Sequence, residues 1–199
     1  MSLELVNTLA TFGTFLVIAG TAIAAIVQLR HARSSNQIEA LAEISAERDN
    51  PDTRSAERFV LHGLGEKLKV PSFRYQLANP RAMTAETQSS NSDIRRVGNF
   101  FENIGALVKN GLADKELVLD IFSGQALNNW EHLAPVTAII RQSRQNNAIW
   151  ENFEYLAVLS QDWDTAHPNG NYPAGVRHID LKYPWAEADK QYAASLAPA

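Results

Sequence analysis

The N-terminal part of the chain contains a long stretch without a charged residue, between Glu4 and Arg30. A helix over residues 5–29 would reach about 37 Å at a rise of about 1.5 Å per residue. The hydrocarbon core of a bilayer is about 30 Å thick, so such a helix crosses it with some tilt. The stretch therefore predicts one transmembrane anchor, and the rest of the chain is expected to work beside a membrane.

A signal peptide and a buried core helix both fit this stretch less well. A signal peptide has a basic leader and a shorter apolar core, whereas residues 1–7 contain no Lys or Arg. A buried helix of a soluble protein usually keeps a polar stripe. Here the large apolar side chains point all round the predicted helix axis: Phe12, Phe15, Leu16, Val17, Ile18, Ile23, Ile26 and Val27.

The flanks of the predicted span indicate its orientation. Arg30 and Arg33 follow it directly, and cationic residues are retained on the cytoplasmic side of a membrane. We therefore expect a single-pass protein with its N-terminus outside and its C-terminal domain in the cytoplasm. The chain has no cysteine, so neither a disulfide nor a thiolate metal site is expected.

Small residues recur along one face of the predicted span. In lipid, helices associate through close backbone approach and hydrogen bonds, which small residues permit. The face is a candidate partner-binding surface, although Gly, Ala and Thr are also common in spans without any such role. It comprises Ala10, Thr14, Val17, Gly20, Thr21 and Ala24.

The charge of the chain argues against nucleic acid as a partner. The formal net charge is −4, with acidic and basic residues interspersed, so there is no basic field to hold phosphates. Only Arg30 and Arg33 are placed to meet anionic lipid. The expected partners are the lipid bilayer and other membrane proteins.

Apolar periodicity after the anchor predicts a mainly α fold. The predicted helices cover residues 34–48, where the anchor helix could simply continue, then 53–68, 94–109, 115–122, 125–144 and 149–159. Residues 70–92 are predicted to be irregular, with a polar loop over 84–92, and Ser123-Gly124 is predicted to break a helix. Pro135 is expected to bend the helix that contains it. Four short helices over 94–159 would make a compact antiparallel bundle.

Polar residues form a narrow stripe beside Phe100 and Phe101 in the best-patterned helix. Its candidate residues are Asn99, Glu102 and Asn103, with Glu151 on a later helix. One interpretation is a buried polar seam between helices, and the other is hydrogen bonding to a ligand. The first interpretation is the simpler one.

The chain shows no motif of a catalytic or metal site. Asp162, Asp164, His167, His178 and Asp180 could be hard metal ligands, but their spacing matches no known metal-binding loop. The carboxylate and histidine set of the predicted bundle lacks the Glu-x-x-His spacing of helical di-iron proteins. That set comprises Glu102, Glu131, His132, Glu151 and Glu154. No nucleophile elbow and no glycine-rich phosphate loop occurs in the sequence. We therefore predict a non-enzymatic protein without a cofactor.

Several sequence runs resemble one family. These are residues 97–105 (VGNFFENIG), 108–112 (VKNGL), 120–124 (DIFSG) and 150–156 (WENFEYL), with 17–31 in the anchor. They look like a family of small bacterial single-span membrane proteins that is catalogued only as a domain of unknown function. The resemblance covers roughly residues 9–160. It implies an anchor with a helical cytoplasmic module in a bacterial inner membrane, and it brings no reaction with it.

The last forty residues differ in kind from the rest, because turn formers alternate with large aromatic residues. We expect an extended arm, followed by a short helix over 185–196. Aromatic residues on a proline-stiffened segment are typical anchors of protein interfaces. The candidate partner-binding residues of the arm are Trp163, Tyr172, Tyr183 and Trp185.

The sequence thus predicts three regions: an anchor over 1–33, a helical cytoplasmic domain over 34–160 and an arm over 161–199. The function hypothesis is a non-catalytic accessory or scaffolding subunit of a larger membrane complex, such as a respiratory or photosynthetic one. The alternative is a membrane-tethered sensor that binds a small ligand or signalling partner in the helical bundle. A polar cavity in the bundle would favour the sensor.

Overall fold

The computed structural model describes the backbone of residues 3–196, together with all side chains in that range except those of residues 4–10, 33 and 34. Every regular element in this part of the chain is helical. The prediction of a mainly α fold, with an apolar N-terminal helix and a helical bundle, is confirmed.

The first helix, α1, runs from Leu3 to Asp49 without interruption. It is long and apolar enough to cross a membrane, and no residue of its most apolar part is buried. The predicted helix over 34–48 is its direct continuation. Asn50 ends it and caps the next helix, because its side chain accepts a hydrogen bond of 2.9 Å from the backbone nitrogen of Asp52.

Three shorter helices follow: α2 at Pro51–His62, α3 at Leu64–Lys69 and α4 at Pro71–Ala78, with one 3₁₀ turn at Pro80–Ala82. The predicted helix over 53–68 is therefore divided at Gly63. The prediction of irregular structure over 70–92 is wrong. A proline occupies the first turn of both α2 and α4, where its missing N–H has no helical partner in any case.

The three longest bundle helices are α5 at Ala85–Lys109, α6 at Lys115–Arg144 and α7 at Glu151–Ala166. The polar loop predicted over 84–92 is helical instead. The Thr84 side chain caps α5 by accepting from the backbone nitrogen of Thr87, at 3.3 Å. The break predicted at Ser123-Gly124 is also absent, because α6 continues through both residues and buries Ser123.

The core lies where α5, α6 and α7 pack together, with α2 against α5 and α6. Phe101 of α5 stacks on Phe153 of α7, with ring centroids 4.9 Å apart, and Trp130 of α6 meets Phe153 edge-on at 5.0 Å. Such aromatic pairs add about 0.5–1.5 kcal/mol beyond the area that they bury. Three helices are thus joined through one aromatic cluster.

A separate unit comprises residues 169–199. Its one regular element in the described range is α8 at Ala186–Ser195, which confirms the predicted short helix. Residues 176–183 form neither helix nor turn, and their side chains are exposed. Trp163 lies before this unit, on α7, where it packs against the bundle core.

Candidate functional site

The predicted polar stripe of α5 forms hydrogen bonds with residues at the start of α7. The indole Nε1 of Trp150 donates to Asn99 Oδ1 at 3.0 Å. Both carboxylate oxygens of Glu102 are used: Oε1 accepts from Asn152 Nδ2 and Oε2 accepts from the backbone nitrogen of Phe153, each at 2.8 Å. The stripe therefore joins two helices about fifty residues apart in the sequence.

Glu102 supplies a helix cap that α7 lacks in its own sequence. The residue before α7 is Trp150, whose side chain makes no capping hydrogen bond and whose backbone is left-handed, at φ 54° and ψ 38°. Phe153 is the third residue of the helix, so its N–H is one of the donors without an intrahelical acceptor. The Glu102 carboxylate accepts from it and places a negative charge at the positive end of the helix dipole.

Two glycines of α5 allow this close approach. A Cβ atom on Gly98 would lie 2.4 Å from the Trp150 ring, and one on Gly105 would lie 2.0 Å from the backbone oxygen of Asn152. Neither distance is possible between real atoms, so only glycine fits at either position. The sequence reasoning did not assign these glycines a role, although their seven-residue spacing inside an amphipathic helix was an available signal.

Of the other two candidate residues, Glu151 adds an ion pair between α7 and α5, whereas Asn103 lies outside this junction. Glu151 is exposed and forms an ion pair with Lys109 at 3.5 Å. Lys109 Nζ also donates to Asn152 Oδ1 at 3.1 Å. Asn103 is exposed on the side of α5 that faces α1. Among the described residues, no three His, Asp or Glu side chains are grouped as a metal ion would require.

An open groove of about 980 Å³ separates the last turns of α1 from α5. Its floor includes Ile44, Phe100 and Ile104, while Asn99 and Asn103 contribute polar side chains. Near the end of α1, Arg96 lies 3.6 Å from carboxylate oxygens of both Glu47 and Asp52, and Glu47 also accepts a hydrogen bond of 2.7 Å from the Thr53 hydroxyl. The groove is mixed in polarity, and two of the four charged residues that line it, Glu47 and Arg96, form an ion pair with each other.

The small-residue face of α1 is exposed wherever its side chains are described. This holds for Thr14, Val17, Gly20, Thr21 and Ala24, whereas the side chain of Ala10 lies outside the described residues. The Thr21 hydroxyl donates within its own helix, to the backbone oxygens of Val17 and Ile18 at 3.0 and 2.9 Å. Its oxygen remains available as an acceptor.

Tyr172 and Tyr183 of the C-terminal unit make contacts with residues close to them in the sequence. Tyr172 stacks on His178, with ring centroids 4.0 Å apart. The Tyr183 hydroxyl donates to the Asp189 carboxylate, and this hydrogen bond raises the pKa of Tyr183 above its usual range. Trp185 is 67% exposed, whereas Trp163 is half-buried on α7 and meets the His167 ring at 4.0 Å.

Comparison with known proteins identifies a family. Curated proteins and solved structures gave no match. A family model described as a domain of unknown function (DUF4760) matches residues 15–163, which include most of α1 and the bundle through Trp163. That range contains the glycines and the carboxylate that join α5 to α7. The chain belongs to the DUF4760 family.

Proposed function

We propose that this chain is a non-catalytic accessory or scaffolding subunit of a larger membrane protein complex. The observation that supports the proposal is the position of its uncovered apolar surface. The apolar part of α1 is exposed, and so are the large apolar side chains of residues 172–185, whereas the bundle has a closed aromatic core. Large exposed apolar surfaces are typical of interaction sites.

The α1 helix is the first proposed contact. An exposed apolar helix of this length is stable in lipid, where its backbone groups are satisfied internally. We place it in a bacterial inner membrane, with the bundle on the cytoplasmic side because Arg30 and Arg33 follow the span. The face with Gly20 and Ala24 lets a second helix approach closely, since a Cβ on Gly20 would meet no atom within 4 Å.

The C-terminal unit is the second proposed contact. Its exposed aromatic residues lie on a segment with two prolines, Pro173 and Pro184, which reduce the entropy lost when the segment is ordered. The polar junction between α5 and α7 contributes differently. The hydrogen bonds of Asn99 Oδ1 and of both Glu102 oxygens are made within the bundle, which supports a structural role for these two residues.

The proposal is tested by isolating the chain from native membranes in a mild detergent through a C-terminal tag. Co-purifying proteins are then identified by mass spectrometry, and their assembly is sized on native gels. We expect one discrete large complex in fixed proportion. Recovery as a lone monomer or dimer in several mild detergents would contradict the proposal.

A matched pair of variants tests the span. Ala24→Leu places a bulky side chain on the small-residue face, and Ala19→Leu makes the same change about 140° away around the helix. We expect Ala24→Leu to reduce recovery of the complex and Ala19→Leu to leave it unchanged. Equal recovery of the complex from both variants would exclude the small-residue face as the contact.

The groove beside α1 favours a second candidate function, a membrane-tethered sensor. Its volume is that of a typical ligand site, and Asn99 and Asn103 supply polar contacts. Native mass spectrometry of the full chain released from membranes would reveal a bound small molecule. If the chain is a sensor, Asn103→Trp should fill the groove and remove the bound molecule. The control, Asn128→Trp on α6, lies outside the groove and should leave the molecule bound.

A further inference from the structure

The most regular pattern in the C-terminal unit is a strict alternation over residues 178–183. His178, Asp180 and Lys182 alternate with apolar residues, which are Ile179, Leu181 and Tyr183. Successive side chains of an extended chain point to opposite faces, so in an extended conformation this segment would have one polar and one apolar face. At about 3.3 Å per residue it would span about 20 Å, the length of an average strand.

The apolar face of this segment is uncovered. Ile179 is 74% exposed, Leu181 is 88% exposed and Tyr183 is 61% exposed. Isolated exposed residues would need no explanation, but here three alternate with polar residues within six consecutive positions. The segment therefore presents a row of apolar side chains that a partner could bury.

The backbone of the same segment is also unpaired as far as Lys182. In the described part of the chain, residues 178–182 form no backbone hydrogen bond. Backbone hydrogen bonds occur at its two ends: Val176, before the segment, donates to the Pro173 oxygen, and Ala186 donates to the oxygen of Tyr183, its last residue, each at 3.3 Å. Gly175, at φ +82°, turns the chain before the segment, and Pro184, which has no N–H, follows its last residue.

We infer that residues 178–183 form a β-strand that adds to the uncovered edge of a β-sheet in a partner protein. This deepens the proposed function, on which it rests, by naming the kind of partner that the C-terminal unit fits. Main-chain hydrogen bonds give affinity in such complexes, and alternate side chains give specificity. The apolar residues pack on the partner's core face, while His178, Asp180 and Lys182 face water.

A sheet edge fits this segment better than the other possible occupants. A membrane could accept the apolar side chains but would leave the backbone N–H and C=O groups without partners. A second copy of the segment could pair with it only as a two-stranded ribbon, which is marginally stable in water. The described part of this chain contains no strand of its own, so the sheet belongs to another protein.

Photo-crosslinking tests the side-chain pattern. A photoreactive amino acid replaces each of residues 178–183 in turn in the full-length protein, and the cells are irradiated before the membranes are isolated. We expect strong crosslinks to one protein from the three apolar positions and weak ones from the three polar positions. Equal yields at all six positions, adducts with lipid alone, or products between two copies of this chain would overturn the inference.

Proline substitution tests the backbone. Neighbouring N–H groups in a strand point to opposite edges, so only every second one faces the partner. We compare Asp180→Pro with Asp180→Ala and Leu181→Pro with Leu181→Ala. One of the two prolines should lower recovery of the crosslinked partner about tenfold or more below its alanine control, because a buried hydrogen bond is lost. The other should match its control, and equal effects of both prolines would overturn strand addition.

The two proposals can fail separately. If a discrete complex is recovered but the crosslinks do not alternate, the chain is an accessory subunit whose C-terminal unit does not add a strand. If no complex is recovered from the unmodified protein, the subunit proposal and the strand that depends on it both fail.

Discussion

Replacing Glu102 with alanine should loosen the start of α7. The carboxylate accepts two hydrogen bonds of 2.8 Å, from Asn152 Nδ2 and from the backbone nitrogen of Phe153. A hydrogen bond to a charged group contributes about 1.5–3 kcal/mol, and the charge at the helix N-terminus about 0.3–1 kcal/mol. Because these contributions overlap, we expect Glu102→Ala to lower the free energy of unfolding by about 2–3 kcal/mol. Glu102→Gln, which keeps one acceptor oxygen, should lower it by about 1–2 kcal/mol.

Thermal unfolding of the full-length protein in detergent measures this effect. Tryptophan fluorescence is the appropriate signal, because Trp130 and Trp150 report on the bundle rather than on the apolar part of α1. For a chain of this size, 1 kcal/mol corresponds to about 2–4 °C, so Glu102→Ala should lower Tm by about 5–10 °C. Hydrogen exchange should also accelerate over residues 151–154.

The matched control is Glu131→Ala on the exposed face of α6, a substitution expected to change stability by less than about 0.5 kcal/mol. If Glu102→Ala and Glu131→Ala have the same Tm, and exchange at the start of α7 is unchanged, Glu102 does not cap α7. The account of the polar stripe as a junction between α5 and α7 would then be wrong.

Two further predictions concern the bundle. Gly105→Ala should lower the free energy of unfolding by about 3 kcal/mol, because its Cβ would lie 2.0 Å from the Asn152 oxygen and α7 would have to move. Gly124→Ala, which meets no atom within 4 Å, should raise it by about 0.5–1 kcal/mol, and thermal unfolding distinguishes the two. Burial raises the pKa of Asp93, opposed by Arg96, so the ionised carboxyl destabilises the fold above that pKa. Asp93→Asn should therefore have a higher Tm than the unmodified protein at pH 7, and the difference should disappear as the pH falls through that pKa.

Much of the fold could be predicted from apolar spacing and helix caps. These signals involve residues that are neighbours in the sequence. They are the uncharged stretch in α1, the end of α1 before Asn50, and the cap of α6 by Asp114, which accepts from the backbone nitrogen of Leu117 at 2.9 Å. The start of α5 could not be predicted from apolar spacing, because the side chains buried there, Thr87 and Ser90, are small and polar. A count of apolar residues assigns such positions to a loop.

The break predicted at Ser123-Gly124 failed for an energetic reason. A glycine in a helix interior costs about 0.5–1 kcal/mol, and the packing of the flanking buried residues Phe122 and Ala126 outweighs that cost. The capping role of Glu102 was beyond sequence reasoning for a different reason. It depends on a left-handed Trp150 and on a contact between positions fifty residues apart.

The continuity of α1 sets a fixed rotational relation between its apolar part and its last turns. Arg30 and Asp49 lie on one helix, about 30 Å apart along its axis, without a glycine or proline between them. Inserting a single residue there would turn everything beyond it by about 100° and displace it by about 1.5 Å. A partner that contacts both ends of α1 must match this helical phase, so insertions of different length should restore or destroy its binding with the periodicity of the helix.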